Sequence, residues 1–372
     1  KPSSHLFRYG ESIRMQNQQT PLDKVKSMAL CAQRKQPCTA TSTEEQPAQS
    51  SAGQSQHLND APTSPISSML RTAPPDDAQR DLFTPPMWDI STRDSRSMMD
   101  VAVFRLSKRD KRCGETIHYE LADGFIEVKA GPDGMASVWD YDIILMAISC
   151  LTEAMNRYRD GRGEKPTRLL RPSVSEILKF CRRPSGGRQY EELEHALDRL
   201  KNTSLKMVRT RKGRNGRMIR IAEGEGLLSN YRVLSYAENG VVASVELEIP
   251  GWIYREVVEA PQPEILAVHP DYFLIEPGIG RYLYRLARRV AGRGRARWSF
   301  KLIYERSGST GSFKEFCRML RKQININDLP EYMLAEETGK SGPMLIILNR
   351  DATPEELSKL IEGDEPSQET EQ

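Results

Sequence analysis

Cysteine, histidine and long apolar segments are all scarce in this sequence of 372 residues. The histidines are isolated from one another and no cysteines form a C-x-x-C pair, so we expect no metal, no disulfide framework and no other cofactor. Cys150, Cys181 and Cys317 lie on apolar helix faces, where we expect them to be core residues. No apolar run approaches the roughly 20 residues that cross a membrane, and we expect no signal peptide. These absences predict a cytoplasmic protein without a membrane partner.

The two ends of the sequence have few of the apolar side chains that a core requires. Residues 1–80 are rich in Gln, Ser, Thr and Pro, and their few apolar side chains cannot offset the entropy of ordering. We therefore predict a disordered N-terminal arm over residues 1–80 and a mobile acidic tail over residues 351–372. The first residue is Lys1, so we expect a fragment boundary or a translated upstream stretch, with Met15 as a candidate start.

Between these ends, one pattern of elements occurs twice. An apolar helix, a short capped helix, a second helix and a hairpin follow one another over residues 140–221 and again over residues 277–348. This order is typical of the winged helix-turn-helix. The predicted fold is therefore α+β and mostly helical, with two winged helix-turn-helix domains that contain small antiparallel sheets. We place the first domain, with a leading β-sheet, at residues 81–260 and the second at residues 261–350.

The first copy is preceded by alternating segments that predict a small antiparallel sheet, Val101–Leu106, Ile117–Leu121 and Phe125–Val128. Apolar residues at helical spacing then run through residues 143–155. Ser173 and Glu176 form a capping box for a short helix, which a Pro- and Gly-containing break separates from the next helix. A hairpin over residues 205–221 has a basic tip and is predicted to be the wing.

The second copy is shorter and follows the same order. Apolar residues predict helices over residues 279–290 and 300–304, the latter ending at Ser307 and Gly308. Another capping box opens a third helix, whose inward side chains are predicted to be Phe313, Phe316, Cys317 and Leu320. A hairpin over residues 338–348 closes the copy as its wing.

Basic residues are concentrated within the two copies. The formal net charge is +12 over residues 157–220 and +11 over residues 281–322, whereas it is −8 over residues 221–280 and −9 over residues 323–372. Clustered Lys and Arg neutralise phosphates and release counterions, an effect that depends on local potential more than on total charge. The predicted partner is therefore double-stranded DNA.

The two third helices differ in the charges that would face DNA. The helix over residues 185–202 carries four acidic residues, which limits its predicted base contacts to Arg188 and Gln189. The helix over residues 312–322 carries cations along one face, and we predict that it dominates specificity through Arg318. The predicted DNA-binding residues are Arg188, Gln189, Arg209, Arg211, Lys212, Arg214, Arg217, Arg293, Arg295, Arg297, Lys314, Arg318, Arg321 and Lys322.

Four stretches of this sequence resemble the plasmid replication initiator protein A family: Val101–Leu106, Trp139–Leu145, Arg171–Glu176 and Arg281–Arg288. The resemblance extends over roughly residues 85–350. It implies a tandem winged-helix initiator that binds repeated origin sequences, helps to open the adjacent duplex and recruits host replication proteins such as an initiator or a helicase. It also implies exchange between monomers and dimers, so a homodimer is one expected assembly. No enzymatic activity is expected.

Three other functions fit parts of the sequence. A winged-helix transcriptional repressor would have the same fold and binding chemistry, and would differ by failing to sustain an origin-bearing plasmid. A primase-like enzyme would hold Mg²⁺ with Asp140 and Asp142, although we favour the interpretation that Asp140 or Asp142 caps the helix that follows. A nicking initiator would need paired histidines near a catalytic tyrosine, and the isolated histidines disfavour it.

Two further segments have structural interpretations. Gly339–Ser341 resembles the end of a phosphate-binding loop, but Leu334 stands where the loop needs its first glycine, so we predict a hairpin turn. The acidic segment 238–276, with Trp252 and Tyr254, is interpreted either as a surface between modules or subunits or as an ordinary linker helix.

Overall fold

The computed structural model describes residues 68–74, 90–99, 101–213, 215–235, 242–340 and 342–352. All of them belong to one compact unit, Pro62–Gln372. The predicted N-terminal arm, apart from residues 68–74, lies outside the described residues, as does the predicted acidic tail apart from residues 351–352. Met69 is buried and Leu70 forms an isolated antiparallel bridge with Ile275, so the predicted disorder is wrong for residues 68–74. The rest of the arm and the tail stay predictions.

The described residues contain both helices and short strands, as the predicted α+β class requires. The helices are α1 (Tyr141–Arg159), α2 (Val174–Phe180), α3 (Gly187–Asn202), α4 (Gly251–Tyr254), α5 (Gly278–Val290), α6 (Phe300–Ser307) and α7 (Phe313–Ile326). The strands are β1 (Arg93–Ser95), β2 (Thr116–Leu121), β3 (Gly124–Lys129), β4 (Leu169–Leu170), β5 (Ser204–Lys212), β6 (Met218–Gly226), β7 (Asn230–Ser235), β8 (Val242–Glu248), β9 (Ile265–Ala267), β10 (Arg295–Ser299), β11 (Tyr332–Gly339) and β12 (Gly342–Asn349). None of these helices is long and apolar enough to span a membrane.

Two of the sheets share a strand order, and each belongs to one copy of the repeated pattern. In the first copy α1 is followed by β4, α2 and α3, and later by the hairpin β7–β8. In the second copy α5 is followed by β10, α6 and α7, and then by the hairpin β11–β12. The sheet orders are β4-β8-β7 and β10-β12-β11, with all neighbours antiparallel, so the last strand lies in the centre of both sheets.

The basic hairpin of the first copy forms as predicted but belongs to a different sheet. It consists of β5 and β6 and joins the leading hairpin in a four-stranded sheet of order β2-β3-β5-β6. Leu205 and Met207 of β5 lie opposite Val128 and Ile126 of β3 on one face of the sheet, and Leu205, Val128 and Ile126 are buried. Strand β5 therefore extends the apolar face of β3 along its open edge. The predicted equivalence between this hairpin and β11–β12 is wrong, because β7–β8 has the matching sheet position.

The segment Val101–Leu106, predicted as a strand, has no strand structure. Its backbone bonds go to separate partners, since Ala102 N donates to Arg306 O at 2.9 Å and Arg105 N donates to Ala136 O at 2.9 Å. The side chains from Val101 to Phe104 are all fully buried. Because none of them faces solvent, their order does not indicate the two faces of a strand. The other two predicted strands pair as β2 and β3.

Local capping signals mark the starts of α2 and α7. Ser173 Oγ accepts from Glu176 N at 3.2 Å and the Glu176 carboxylate accepts from Ser173 N at 2.7 Å, which confirms the predicted capping box. Ser312 Oγ accepts from Glu315 N at 3.3 Å, but the Glu315 carboxylate binds Arg318, so only half of the second box forms. The chain leaves α6 through Gly308 in the left-handed conformation, as predicted.

One hydrophobic core connects the described elements on both sides of residue 260. Strand β9 pairs with β1 in a two-stranded sheet, which brings the start of the predicted second domain onto the first. The predicted core cysteines, Cys150, Cys181 and Cys317, are all buried, and burial raises the pKa of Cys150 and Cys181 to about 12. The division into domains at residue 260 stays a prediction.

Two buried ion pairs join α5 to the N-terminal part of the fold. Arg281 Nη1 lies 2.6 Å and 2.8 Å from the two carboxylate oxygens of Asp142 on α1. Arg285 Nε lies 2.7 Å from Asp94 Oδ2 on β1, and neither side chain of this pair is exposed. Arg281 and Arg285 are four residues apart, so both project from the same face of α5. These pairs hold the first helix of the second copy against the first copy.

Glu256, in the π-helical turn Arg255–Glu259, predicts a pH dependence of stability. Burial raises the pKa of Glu256 to about 7, and Ser95 Oγ donates to its Oε2 at 2.7 Å. Because the unfolded pKa is near 4.3, the folded state loses stability as pH rises through this window, by about 3 kcal/mol once pH exceeds 7. Glu256→Gln keeps the hydrogen bond and removes this loss.

The measurement is urea unfolding of Glu256→Gln and wild type between pH 5 and pH 8. The variant should gain stability relative to wild type as pH rises. The matched control is Glu259→Gln, which replaces an exposed carboxylate of the same turn and should track wild type. A constant difference between Glu256→Gln and wild type across this range would contradict the assignment.

Candidate nucleic-acid interface

One side of α7 is exposed and carries cations. The four predicted cations on this side are Lys314, Arg318, Arg321 and Lys322, and all are exposed. Phe316 and Leu320 are fully buried on the other side, as their spacing predicts. Phe313, predicted to face inward, is 39% exposed and packs its ring edge against Tyr304 instead. The helix thus separates an apolar side from a cationic side.

Two of these cations are held by acidic neighbours. Arg318 Nη2 lies 2.6 Å from Glu315 Oε1, and this hydrogen bond raises the pKa of Arg318. Arg321 Nη2 lies 2.7 Å from Glu336 Oε1 on β11. Exposed pairs of this kind contribute little to stability, so a guanine edge or a phosphate can replace the carboxylate at small cost. Lys314 and Lys322 make no ion pair within the part of the chain that the structure describes.

The predicted cations before and on β10 differ in exposure. Arg293 is exposed in the turn after α5 and has no ion pair among the described residues. Arg295 is half-buried on β10. Arg297 Nε lies 2.9 Å from Glu337 Oε2, so β11 supplies acids to both Arg297 and Arg321. Of these three, Arg293 is the one that is fully on the surface.

The start of α3 presents the two residues that were predicted there. Arg188 is highly exposed, and its Nε donates to Glu192 Oε1 at 3.0 Å across one helical turn. Gln189 is half-buried behind it, and its backbone N donates to Gly186 O at 3.0 Å. Glu191 and Glu194 are exposed further along α3 and reduce its positive potential.

The remaining predicted cations lie at the far end of the β5–β6 hairpin. Arg209 Nη1 lies 3.0 Å from Asp123 Oδ2, so this residue ties the hairpin to the β2–β3 turn. Arg211, Lys212 and Arg217 are exposed and make no ion pair with any residue that the structure describes. Arg214 lies outside the described residues. The predicted cations therefore form three groups: on α7 and β10, at the start of α3, and at this hairpin.

Several arginines in the two basic segments have internal roles that sequence reasoning missed. Arg199 binds both carboxylate oxygens of Asp140, at 2.8 and 2.9 Å, and this hydrogen bonding raises the pKa of Arg199. Arg281 and Arg285 are buried in the pairs described above. Every residue of α5 from Gly278 to Ala287 is buried, so these two arginines have no surface to present. Net charge by segment therefore overstates the charge that is available to DNA.

Asp140 and Asp142 have neither of the roles weighed for them. Asp140 is at the N-cap of α1, but its side chain makes no capping hydrogen bond and accepts from Ser137 N at 2.8 Å, so the predicted cap is wrong. Arg281 donates to both oxygens of Asp142, while Arg199 donates to both oxygens of Asp140. Carboxylates that are occupied by guanidinium groups do not fit a Mg²⁺ site.

This chain is similar to a known protein family, to one curated protein and to two solved structures. The sequence model described as Replication initiator protein A matches residues 93–334. A putative replication protein of Wigglesworthia glossinidia brevipalpis is 28% identical over 244 residues, which are 65% of this chain and 84% of that protein. Two crystal structures of RctB domains 2 and 3 cover 70% and 68% of this chain and 99% and 97% of theirs, with TM-scores of 0.47 and 0.44 and identities of 13% and 12%. Since the family match covers well over half of the sequence, the chain belongs to the replication initiator protein A family.

Proposed function

We propose that this replication initiator binds repeated double-stranded DNA sequences at a plasmid origin, promotes opening of the adjacent duplex and recruits host replication proteins. The observation that carries the proposal is the exposed cationic side of α7 within a repeated helix and hairpin unit. Phosphate neutralisation supplies affinity and steering, while a helix in the major groove supplies specificity. The host partners are an initiator or a helicase, and a homodimer is one assembly of the protein.

The two copies are proposed to be winged helix-turn-helix modules. Their sheets have matching orders, and each follows a helix, a strand and two further helices. The corresponding third helices are α3 and α7, and the corresponding wings are β7–β8 and β11–β12. In this assignment β7–β8 is the wing of the first module, and the β5–β6 hairpin is an insertion outside the winged-helix pattern. Two such modules in one compact unit would contact successive turns of one duplex.

The modules are proposed to contribute unequally. α7 reads bases through Arg318, with Lys314 and Lys322 on phosphates, because its exposed side carries a single acid, Glu315. α3 contributes Arg188 and its neighbour Gln189 at its first turn, where the following glutamates do not yet oppose DNA. We propose no catalytic step for any of these residues.

The test is a DNase footprint of the full chain on the DNA that flanks its own gene. Protected repeats at regular spacing, together with replication of a plasmid that carries them only when the chain is supplied, are expected. Protection of a promoter with repression but no plasmid maintenance would favour the repressor. Primer synthesis that Asp142→Asn abolishes, with folding intact, would favour the primase-like enzyme.

A further inference from the structure

The β5–β6 hairpin extends beyond the sheet that supports it. Strand β5 pairs with β3 over residues 204–209, and Thr210 N makes a last bond to Asp123 O at 2.6 Å. The pairing with β6 continues to Lys212 opposite Met218. The described residues 210–213 and 215–220, which we call the ribbon tip, are therefore a two-stranded ribbon with no further described strand beside them.

The ribbon tip exposes apolar side chains. Met218 is 66% exposed and Ile219 is 43% exposed, which makes Met218 the most exposed large apolar side chain in the described part of the protein. Residues directly opposite in an antiparallel pair project to the same face. Met218 therefore lies beside Lys212 on one face, and Ile219 lies beside Arg211 on the other. Each apolar side chain has a cation as its cross-strand neighbour.

The two apolar side chains differ in support. A Cβ on Gly213 would lie 2.6 Å from Ile219 Cδ1, so the Ile219 side chain covers this glycine and packs on the turn. Gly216 has a φ of 76° and is in the left-handed conformation that closes the turn. Two glycines keep the end of the ribbon narrow. Met218 is thus a highly exposed apolar side chain at the end of a narrow two-stranded ribbon.

The charge of the ribbon tip indicates what would cover Met218. The tip contains Arg211, Lys212, Arg217 and Arg220, and no Asp or Glu. A protein partner would cover an apolar side chain without needing so many cations around it. A groove of duplex DNA is bordered by two phosphate backbones, and the stacked bases between them have apolar faces. This arrangement matches cations that flank an apolar side chain.

We propose that the ribbon tip enters the DNA minor groove and that Met218 inserts between adjacent base pairs, bending the duplex. The minor groove is about 6 Å wide, which suits a glycine-containing tip, and its negative potential attracts the flanking arginines. Partial insertion of Met unstacks one base step and kinks the duplex toward the major groove. This proposal rests on the proposed function and adds to it a bending element outside the two recognition helices.

The experiment measures bending and affinity separately for the full chain. A duplex that carries one repeat found by footprinting is labelled at its two ends for energy transfer, and its affinity is followed by anisotropy. Met218→Ala should lose most of the energy-transfer change while it retains binding, because the ribbon cations remain. Met218→Leu should keep the bend. Leu169→Ala, which truncates an exposed apolar side chain on β4, is the matched control and should bend DNA like wild type.

Each other outcome has a defined meaning. If wild type binds the duplex without bending it, or if Met218→Ala bends it fully, the proposed insertion of Met218 is wrong and the proposed initiator function is unaffected. If Met218→Ala changes the sedimentation of the free protein and still bends the DNA, Met218 belongs to a protein interface and its proposed insertion into DNA is also wrong. If wild type fails to bind any duplex, the proposed function itself fails. Urea unfolding checks that Met218→Ala is as stable as wild type.

Discussion

Asp94→Asn should lower the free energy of unfolding by about 3–5 kcal/mol, because it leaves the guanidinium of Arg285 buried without its counter-charge. Asp94 Oδ2 binds Arg285 Nε at 2.7 Å, while Asp94 Oδ1 accepts from Tyr141 Oη at 3.1 Å and from Ser95 N at 2.8 Å. All of these neighbours are donors. An asparagine amide must therefore turn its own NH₂ toward a donor, whichever way it is oriented. Urea unfolding of the variant and of wild type at one pH measures the loss.

Two controls test whether the loss of stability comes from the burial of the ion pair or only from the change in charge. Glu153→Gln breaks the exposed pair between Glu153 and Arg157 on α1, at 3.0 Å, and should change stability by no more than about 0.5 kcal/mol. The double variant Asp94→Leu with Arg285→Met removes both charges and should recover much of the loss, since apolar residues of similar volume often replace a buried pair without penalty. A loss from Asp94→Asn no larger than that of Glu153→Gln would contradict the description of this pair.

Arg318→Ala should reduce the preference for cognate over random duplex by about 10- to 100-fold, because a two-pronged contact to guanine O6 and N7 is lost. Arg211→Ala should instead weaken both duplexes by the same factor, since a phosphate contact carries no sequence information. Both side chains are exposed, so neither change should unfold the protein. Anisotropy titrations of the two duplexes at one KCl concentration measure both effects.

Arg157→Ala, which removes an exposed arginine near the end of α1, is the matched control and should leave both affinities unchanged. Equal losses on cognate and random duplex for Arg318→Ala would reject Arg318 as a base contact. The ion pair between Arg318 and Glu315 adds a second check. Glu315→Gln frees the guanidinium without touching DNA, so binding to the cognate duplex should become tighter.

The local elements of this fold could be predicted from the sequence because their signals are local. Apolar spacing predicts α1, α5 and α7, and the Ser173 and Glu176 box predicts the start of α2. Strand partners could not be predicted in the same way. The choice of β3 as the partner of β5 depends on contacts between Val128 and Leu205, which are far apart in sequence. Sequence periodicity carries no information on that pairing.

The candidate interface could be predicted only in part, for reasons of charge. The cationic side of α7 follows from helical spacing, and the structure has it exposed. Arg281 and Arg285 look like surface arginines in the sequence, yet both are buried against aspartates of α1 and β1. Their partners, Asp142 and Asp94, are more than 130 residues away in sequence. Only the tertiary structure separates arginines available to DNA from arginines that hold the fold together.

The buried pairs have a consequence for DNA recognition. They join α5 to α1 and β1, so the two copies are expected to keep one fixed separation. A fixed separation would require a fixed spacing between the two contacted segments of a repeat.

The central claim is that cations of this chain bind the phosphates of duplex DNA. The most direct measurement is the affinity for one repeat as a function of KCl concentration, for wild type and for the double variant Lys314→Gln with Lys322→Gln. The logarithm of the wild-type association constant should fall linearly with the logarithm of KCl concentration, and the double variant should have a slope shallower by about 1.8. A wild-type affinity that does not change with KCl, or identical slopes for the two proteins, would contradict the claim.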